Sequence, residues 1–283
     1  MEIRLLTRDE LNIALDLVWK VFCEYEAVNY TETSRQAFYD AIHSEKYLDT
    51  LTAYGAFDED ELVGIIASRN ETSHIALFFV DGAYHKQGIG RRLWESMLEN
   101  STADVITVHS SLYASAVYKR LGFQQTGEET EDGGIVYIPM EYHHFIDILQ
   151  DKDDDVAYAA TKRIAAESEF SNKYYKYIPE FVELLSHKKS YVRTRAMILC
   201  CAQARWDNEG VIAKYLPQML RLVHDEKPTV VRQSLNALKE VVVFRPELRE
   251  IIASELEKMD LSEYKESMTG LILKDIKELI EII

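Results

Sequence analysis

LFFVDGAYHKQGIGRRLWESML, residues 77–98, decides how the first half of this 283-residue chain is read. An apolar run ends at Val80, a loop carrying Gly88 and Gly90 follows, and over residues 88–99 the apolar positions recur at helical spacing. Glycine lets a backbone approach a ligand closely, and the exposed N–H groups at a helix start attract phosphate through the helix dipole. Lys86, Arg91 and Arg92 place three of the 11 basic residues of positions 1–150 within seven positions. That concentration of positive charge suits a pyrophosphate.

Upstream of this stretch, residues 3–6 read as a short strand. Leu11, Ala14, Leu15, Val18, Val21 and Phe22 then mark an amphipathic helix. A second helix is predicted over residues 33–48, followed by strands at 52–57, 62–69 and 74–80 separated by polar turns, which is the pattern of an antiparallel meander. Downstream, a strand at 105–108, a helix at 113–121 and closing strands near 123–126 and 135–140 complete a mixed α and β order with a helix after the fourth strand.

A second signature lies in that downstream part: SLYASAVYKRLGF, residues 111–123. Together the two stretches resemble the GNAT superfamily of N-acetyltransferases. Its first motif is Arg or Gln, two residues, Gly, one residue, then Gly or Ala, after an apolar strand ending in Val. Val80, Tyr84, Gly88, Ile89 and Gly90 fit it, while His85 stands where Arg or Gln is usual. Its second motif is Asn, Ala three on, Tyr seven on and a closing Gly-Phe. Ala114, Tyr118, Gly122 and Phe123 fit, and Ser111 replaces the Asn as a residue able to cap a helix. The resemblance covers about residues 1–145 and implies an α+β domain with a mixed central sheet.

It also implies acetyl-CoA as cosubstrate and direct transfer of the acetyl group to a neutral amine. Residues 77–80 are then expected to splay from the next strand. The cofactor-binding set becomes Phe78, Phe79, Val80, His85, Lys86, Gln87, Gly88, Ile89, Gly90, Arg91, Ser111 and Tyr118, with strand N–H groups holding the developing oxyanion. Tyr118 is the expected acid, because a phenol with a pKa near 10 stays protonated at neutral pH and can donate to a departing thiolate. For the base, no spacing singles out one residue among Glu71, His74, Glu24 and Glu26. His74 is named for its intrinsic pKa, and Glu24 and Glu26 for a position at the end of the first helix where a cationic acceptor would enter.

Beyond about residue 145 the strand signals stop. Helical patterns follow one another with breaks near Asn172, Lys188, Asp207, Lys227, Pro246 and Leu261. HKKSYVRTRAMILC and DEKPTVVRQSLNAL align Val192 with Val231, 39 residues apart, and DDDVAYAATKRIAA places Val156 a further 36 residues before. This half resembles HEAT-like repeats, with Arg193 and Arg232 at a shared position where the first repeat has Ala157. The expected division is residues 1–147 for the transferase and 148–283 for an all-α repeat domain. Three roles stay open for the latter: choosing a macromolecular acceptor, binding a partner or a second copy, and binding nucleic acid.

Charge separates the halves. Residues 1–150 hold 25 acidic and 11 basic side chains, and residues 151–283 hold 23 and 21, giving −14 and −2. The first balance repels nucleic acid and attracts a cationic amine, and the second argues against strong phosphate binding. Cys23, Cys200 and Cys201 offer no disulfide framework, and Asp9, Glu10 and Asp16 interrupt any apolar signal core, so a cytoplasmic protein away from membranes is expected. His109, His143, His144 and the acidic run 151–155 show no recognised metal spacing, so no metal is expected. A non-catalytic acyl-CoA-binding scaffold is the alternative to an enzyme.

Overall fold

The computed structural model describes residues 1–132 and 134–283, which form two compact units, Met1–Phe145 and Ile146–Ile283. Strand β1 (Glu2–Leu5) leads into helix α1 (Arg8–Tyr25). Thr7 and Glu10 form a reciprocal capping box, in which the Thr7 hydroxyl accepts from the Glu10 N–H at 3.3 Å and the Glu10 carboxylate accepts from the Thr7 N–H at 2.9 Å. Glu10 also takes both terminal nitrogens of Arg4, at 2.9 and 2.6 Å, so one side chain fastens the first strand to the first helix.

The single helix expected over residues 33–48 is two, α2 (Glu32–Ile42) and α3 (Glu45–Leu48). Ser44 adopts an extended conformation and its carbonyl restarts the ladder by accepting from the N–H groups of Tyr47 and Leu48. Strands β2 (Thr52–Asp58), β3 (Glu61–Arg69) and β4 (His74–Val80) make the antiparallel meander. Helix α4 (Ile89–Glu99), strand β5 (Ile106–Ser110), helix α5 (Ser115–Arg120) and strand β6 (Gln124–Gln125) follow. Strands β7 (Thr130–Asp132) and β8 (Ile135–Tyr142) pair as an antiparallel hairpin. The sequence did not predict β7, an exposed acidic segment with no apolar alternation.

The sheet runs β1-β2-β3-β4-β5-β8-β6, antiparallel except between β4 and β5. Adjacent residues on β3 feed opposite cores, as the two-residue period of a strand requires. Ile66 packs with Leu93, Trp94 and Met97 of α4, and Ile65 packs with Leu15 and Val18 of α1 and Ile42 of α2. The sheet is thus covered on both faces, and the parallel pair lies in its middle.

In the second unit, α6 (His144–Ile148) crosses from the first and is followed by α7 (Asp154–Glu167), α8 (Ile178–Leu184), α9 (Ser190–Ala202), α10 (Val211–Leu220), α11 (Pro228–Phe244), α12 (Arg249–Leu256) and α13 (Glu266–Ile280). No strand occurs among the described residues 146–283. Ala157, Ala160, Thr161, Ile164 and Ser168 are buried. So are the residues 35 positions on, Val192, Arg195, Ala196, Leu199 and Gln203, and those 39 beyond, Val231, Ser234, Leu235, Leu238 and Val242. This register corrects the sequence alignment by one residue, because Val156 is 48% exposed and it is Ala157, at 0%, that shares the environment of Val192. Arg193 is paired with Asp225 at 2.7 Å and Arg232 with Asp275 at 2.6 Å.

Candidate functional site

The β4–β5 ladder pairs only His74 with Thr107 and Ile75 with Val108. Past Ile75 the strands part, and among the described residues the β5-facing edge of residues 76–80 has no strand partner. A cavity of about 260 Å³ opens there, with Phe78 and Phe79 of β4 and Val108 and His109 of β5 in its wall. Two parallel strands can diverge this way only if something else fills the gap or a ligand does, since edge N–H and C=O groups need partners.

The glycine turn stands at the start of α4, next in sequence to β4. Gly88 has φ +82°, and a Cβ there would meet nothing within 4 Å, so its left-handed backbone borders open space. The first-turn N–H groups of an α-helix have no carbonyl four residues earlier to bond, so Ile89, Gly90 and Arg91 present donors to that space. Lys86, Gln87, Arg91 and Arg92 are exposed around the turn, with Arg91 reaching the Arg120 carbonyl at 3.4 Å and Arg92 that of Met1 at 3.3 Å. An open glycine, free helix-start donors and three cations form a donor set suited to a diphosphate. His85 does not extend across the turn. Its Nε2 lies 2.8 Å from the Val80 carbonyl oxygen, to which the ring donates, and it packs 5.1 Å from Tyr25.

Tyr118 is 5% exposed and lines the cavity. Burial, and secondarily the charge of Glu26, pushes its phenol well above the ordinary value, so it stays protonated at neutral pH. Glu26, the residue capping the C-terminal end of α1, lines the same cavity and is hydrogen-bonded to Ser111. Burial raises its carboxyl pKa, and the Ser111 bond only partly offsets this. Among the described residues no cation pairs with Glu26. The Ser111 hydroxyl also accepts from the Ala114 N–H at 3.1 Å, which fixes the turn into α5.

The other base candidates lie elsewhere. Glu24 is exposed and Glu71 sits in the β3–β4 turn at φ +54°, and neither lines the cavity. His74 lies outside the cavity wall too, its Nδ1 2.8 Å from the Thr107 hydroxyl. Desolvation, with the charge of Arg69 and the neighbouring His109, pushes its pKa down to about 4. Partial burial thus favours the neutral form of His74, which as a base is weaker than a free imidazole.

Sequence reasoning missed the far wall. Phe22 and Phe38 stack at 4.3 Å, Phe22 and Tyr30 at 5.8 Å, and the Tyr30 hydroxyl donates to the Val136 carbonyl of β8 at 3.3 Å. His109 stacks on Tyr137 at 3.9 Å. The available signal was the aromatic density between Trp19 and Tyr39, which reads equally as core. No group of three or more potential metal ligands occurs among the described residues, and Cys200 and Cys201 are buried free thiols.

Residues 21–144 match the family model described as the acetyltransferase (GNAT) domain. Similar solved structures include a GCN5-related N-acetyltransferase from Rhodopseudomonas palustris at 16% identity, covering 50% of this chain and 94% of that one with a TM-score of 0.45. A PaiA N-acetyltransferase from Thermoplasma acidophilum, in complex with coenzyme A, shows 20% identity, 50% and 99% coverage and a TM-score of 0.41. YjaB from Escherichia coli, in its apo form, shows 22%, 50% and 96%, with a TM-score of 0.40. A search of the curated proteins finds no match. The family match identifies a GNAT domain within the first unit and supports acetyl transfer as its general chemistry. Residues 146–283 lie outside it.

Proposed function

We propose that the first unit transfers an acetyl group from acetyl-CoA to an amine by direct attack within a ternary complex. The observation that carries this reading is that a buried, protonated Tyr118 and a half-buried Glu26 with no cation beside it among the described residues line one cavity, at the point where β4 and β5 part. The helix-start donors of Ile89, Gly90 and Arg91, with Lys86 and Arg92, would hold the diphosphate, and residues 78–80 would flank the pantetheine arm. Bound acetyl-CoA supplies an activated acyl carbon. Edge N–H groups of β4 receive the negative charge that develops on its oxygen. Glu26 takes the proton the attacking nitrogen loses, and Tyr118 gives its hydroxyl proton to the departing sulfur. A C–N bond forms, a C–S bond breaks, and one proton passes in net from nitrogen to sulfur.

The helical half we read as a HEAT-like array that recognises an acceptor or a partner. Support comes from the recurring buried register, from the Gln203 amide donating to the Ser168 hydroxyl at 2.9 Å between equivalent positions, and from the Arg–Asp pairs. No helix among the described residues is long and apolar enough to cross a membrane. Free cysteines fit a reducing compartment such as the cytoplasm.

The test is calorimetric titration of acetyl-CoA into the intact chain and into a Gly88→Val, Gly90→Leu double variant. Saturable binding that the variant loses supports the site. Binding by neither, or equally by both, overturns it.

A further inference from the structure

One group on the open edge of β4 is already engaged by a side chain. Asp81 donates its N–H to the Val63 carbonyl at 2.9 Å, which makes Gly64 and Val80 a non-hydrogen-bonded pair of the β3–β4 ladder. The N–H and C=O of Val80 therefore point away from β3, as do those of Phe78 two residues earlier, toward the side from which β5 has parted. Of these groups the Val80 carbonyl accepts from His85 Nε2 at 2.8 Å. The peptide unit joining Val80 to Asp81 is thus pinned at both ends, its N–H by β3 and its C=O by His85.

The turn after β4 is built to send His85 back onto the strand. The Asp81 carboxylate accepts from the Ala83 N–H at 2.9 Å and from Lys20 of α1 at 2.7 Å. The Tyr84 hydroxyl donates to Asp58 of β2 at 3.2 Å, and the Gln87 amide donates to the Ala83 carbonyl at 3.2 Å. The chain then reverses at Lys86, whose φ of +62° is a conformation that a residue other than glycine holds only where its surroundings impose it. As a result His85 is half-buried while Lys86 and Gln87 are exposed.

Helix α1 holds the ring from its other side. Tyr25 lies 5.1 Å from the His85 ring and 5.5 Å from that of Tyr113, centroid to centroid. Its hydroxyl comes so near Gly82 that a Cβ there would sit 2.2 Å from it, so any larger residue would push Tyr25 aside. To reach a diphosphate at the start of α4, His85 would have to give up both Val80 and Tyr25. The exposed Lys86, Arg91 and Arg92 supply positive charge there without that loss.

We infer that His85 is a positioning residue for the pantetheine arm of the cosubstrate and not a ligand of its diphosphate. By holding the Val80 carbonyl it keeps the edge N–H groups of Phe78 and Val80 aimed at the arm and at the acyl oxygen. The arm carries two amides, which pair with a strand edge as a neighbouring strand does. A strand end with neither β5 nor His85 beside it would present its groups over a range of directions. This role rests on the acetyl-CoA reading of the site. Because His85 acts through the backbone, its removal weakens every ligand that carries the arm by the same factor, with or without a diphosphate.

The test is calorimetry on the intact chain and its His85→Ala and His85→Gln variants. It measures Kd for acetyl-CoA and, by displacement of acetyl-CoA, for S-acetylpantetheine, which has the arm and the acyl group without the diphosphate. His85→Ala should weaken both ligands about tenfold at unchanged stoichiometry, and His85→Gln, which keeps an N–H donor, should recover most of that factor. A loss confined to acetyl-CoA makes His85 a diphosphate ligand and overturns the positioning role. Unchanged affinities, a lower stoichiometry at unchanged Kd, or no displacement by S-acetylpantetheine from the unaltered chain overturn it too, and each leaves acetyl-CoA binding standing. No binding of acetyl-CoA by the unaltered chain overturns both the role and the reading beneath it.

Discussion

The two units treat buried charge in opposite ways. In the helical unit Arg193 pairs with Asp225, Arg232 with Asp275 and Arg245 with Asp207, and each of these carboxylates is almost fully buried. Asp225 and Asp207 also accept backbone N–H groups at helix starts, so the pairs fix how one helix follows another. In the first unit the half-buried Glu26 has a hydroxyl for company and no cation among the described residues. A charge left unmatched inside a protein raises the free energy of the free state, and a cationic ligand can relieve it. Paired charges thus hold helices together in the second unit, whereas Glu26 is the carboxylate that the proposed function puts to use.

The contrast breaks if Asp225 and Glu26 respond alike to removal. Asp225→Ala strands Arg193 and should cost about 3–5 kcal/mol, seen as a lower midpoint in denaturant, with acetyl-CoA affinity retained by the folded fraction. Tyr118→Phe should leave that midpoint nearly unchanged and lower turnover about 10²-fold, roughly 2.7 kcal/mol of barrier, with acetyl-CoA binding intact. Unchanged turnover would remove Tyr118 from the mechanism. Glu26→Gln should cut kcat/KM for amines about 10²-fold while holding or raising the midpoint, because it deletes a desolvated charge. A drop of several kcal/mol in stability would make Glu26 a scaffold residue like Asp225.

The smallest effect concerns acid. The folded-state pKa of Glu10 is depressed to about 2, first by Arg4 and then by the Thr7 N–H, so its contribution to stability is present above the unfolded value of about 4.3 and is lost as pH falls toward 2. Glu26 has the opposite sign. Its raised pKa means that its ionised form opposes folding, and that penalty disappears as pH falls through the folded value. Glu10→Gln should therefore flatten the acid side of the stability curve, read from melting temperatures between about pH 5 and 2. Glu26→Gln should raise stability most at neutral pH.

The glycine turn before α4 was legible in the sequence because its physics is local: a glycine at positive φ, a helix start and nearby cations all fall within seven residues. The far wall was not. Phe22, Tyr30, Phe38 and Tyr137 meet only because the sheet brings α1 and α2 against a hairpin about a hundred residues later, and single aromatic residues look the same in a core as in a site. For His74 the intrinsic pKa is visible in sequence, whereas its partial burial and its contact with the Thr107 hydroxyl are not. Val156 misled because alanines at residues 157, 159 and 160 blur which face of α7 is apolar, and only side-chain burial resolved the one-residue shift. The helix breaks near Lys188, Asp207 and Lys227 were legible because polar runs, turn residues and Pro228 announce them.

Thiol release from acetyl-CoA by the intact chain, with and without a primary amine, tests the central claim most directly. The account predicts amine-dependent release that falls about 10²-fold in both Tyr118→Phe and Glu26→Gln while acetyl-CoA still binds. Saturable acetyl-CoA binding with no release for any amine would contradict it and leave the first unit a binding module carried by a helical scaffold.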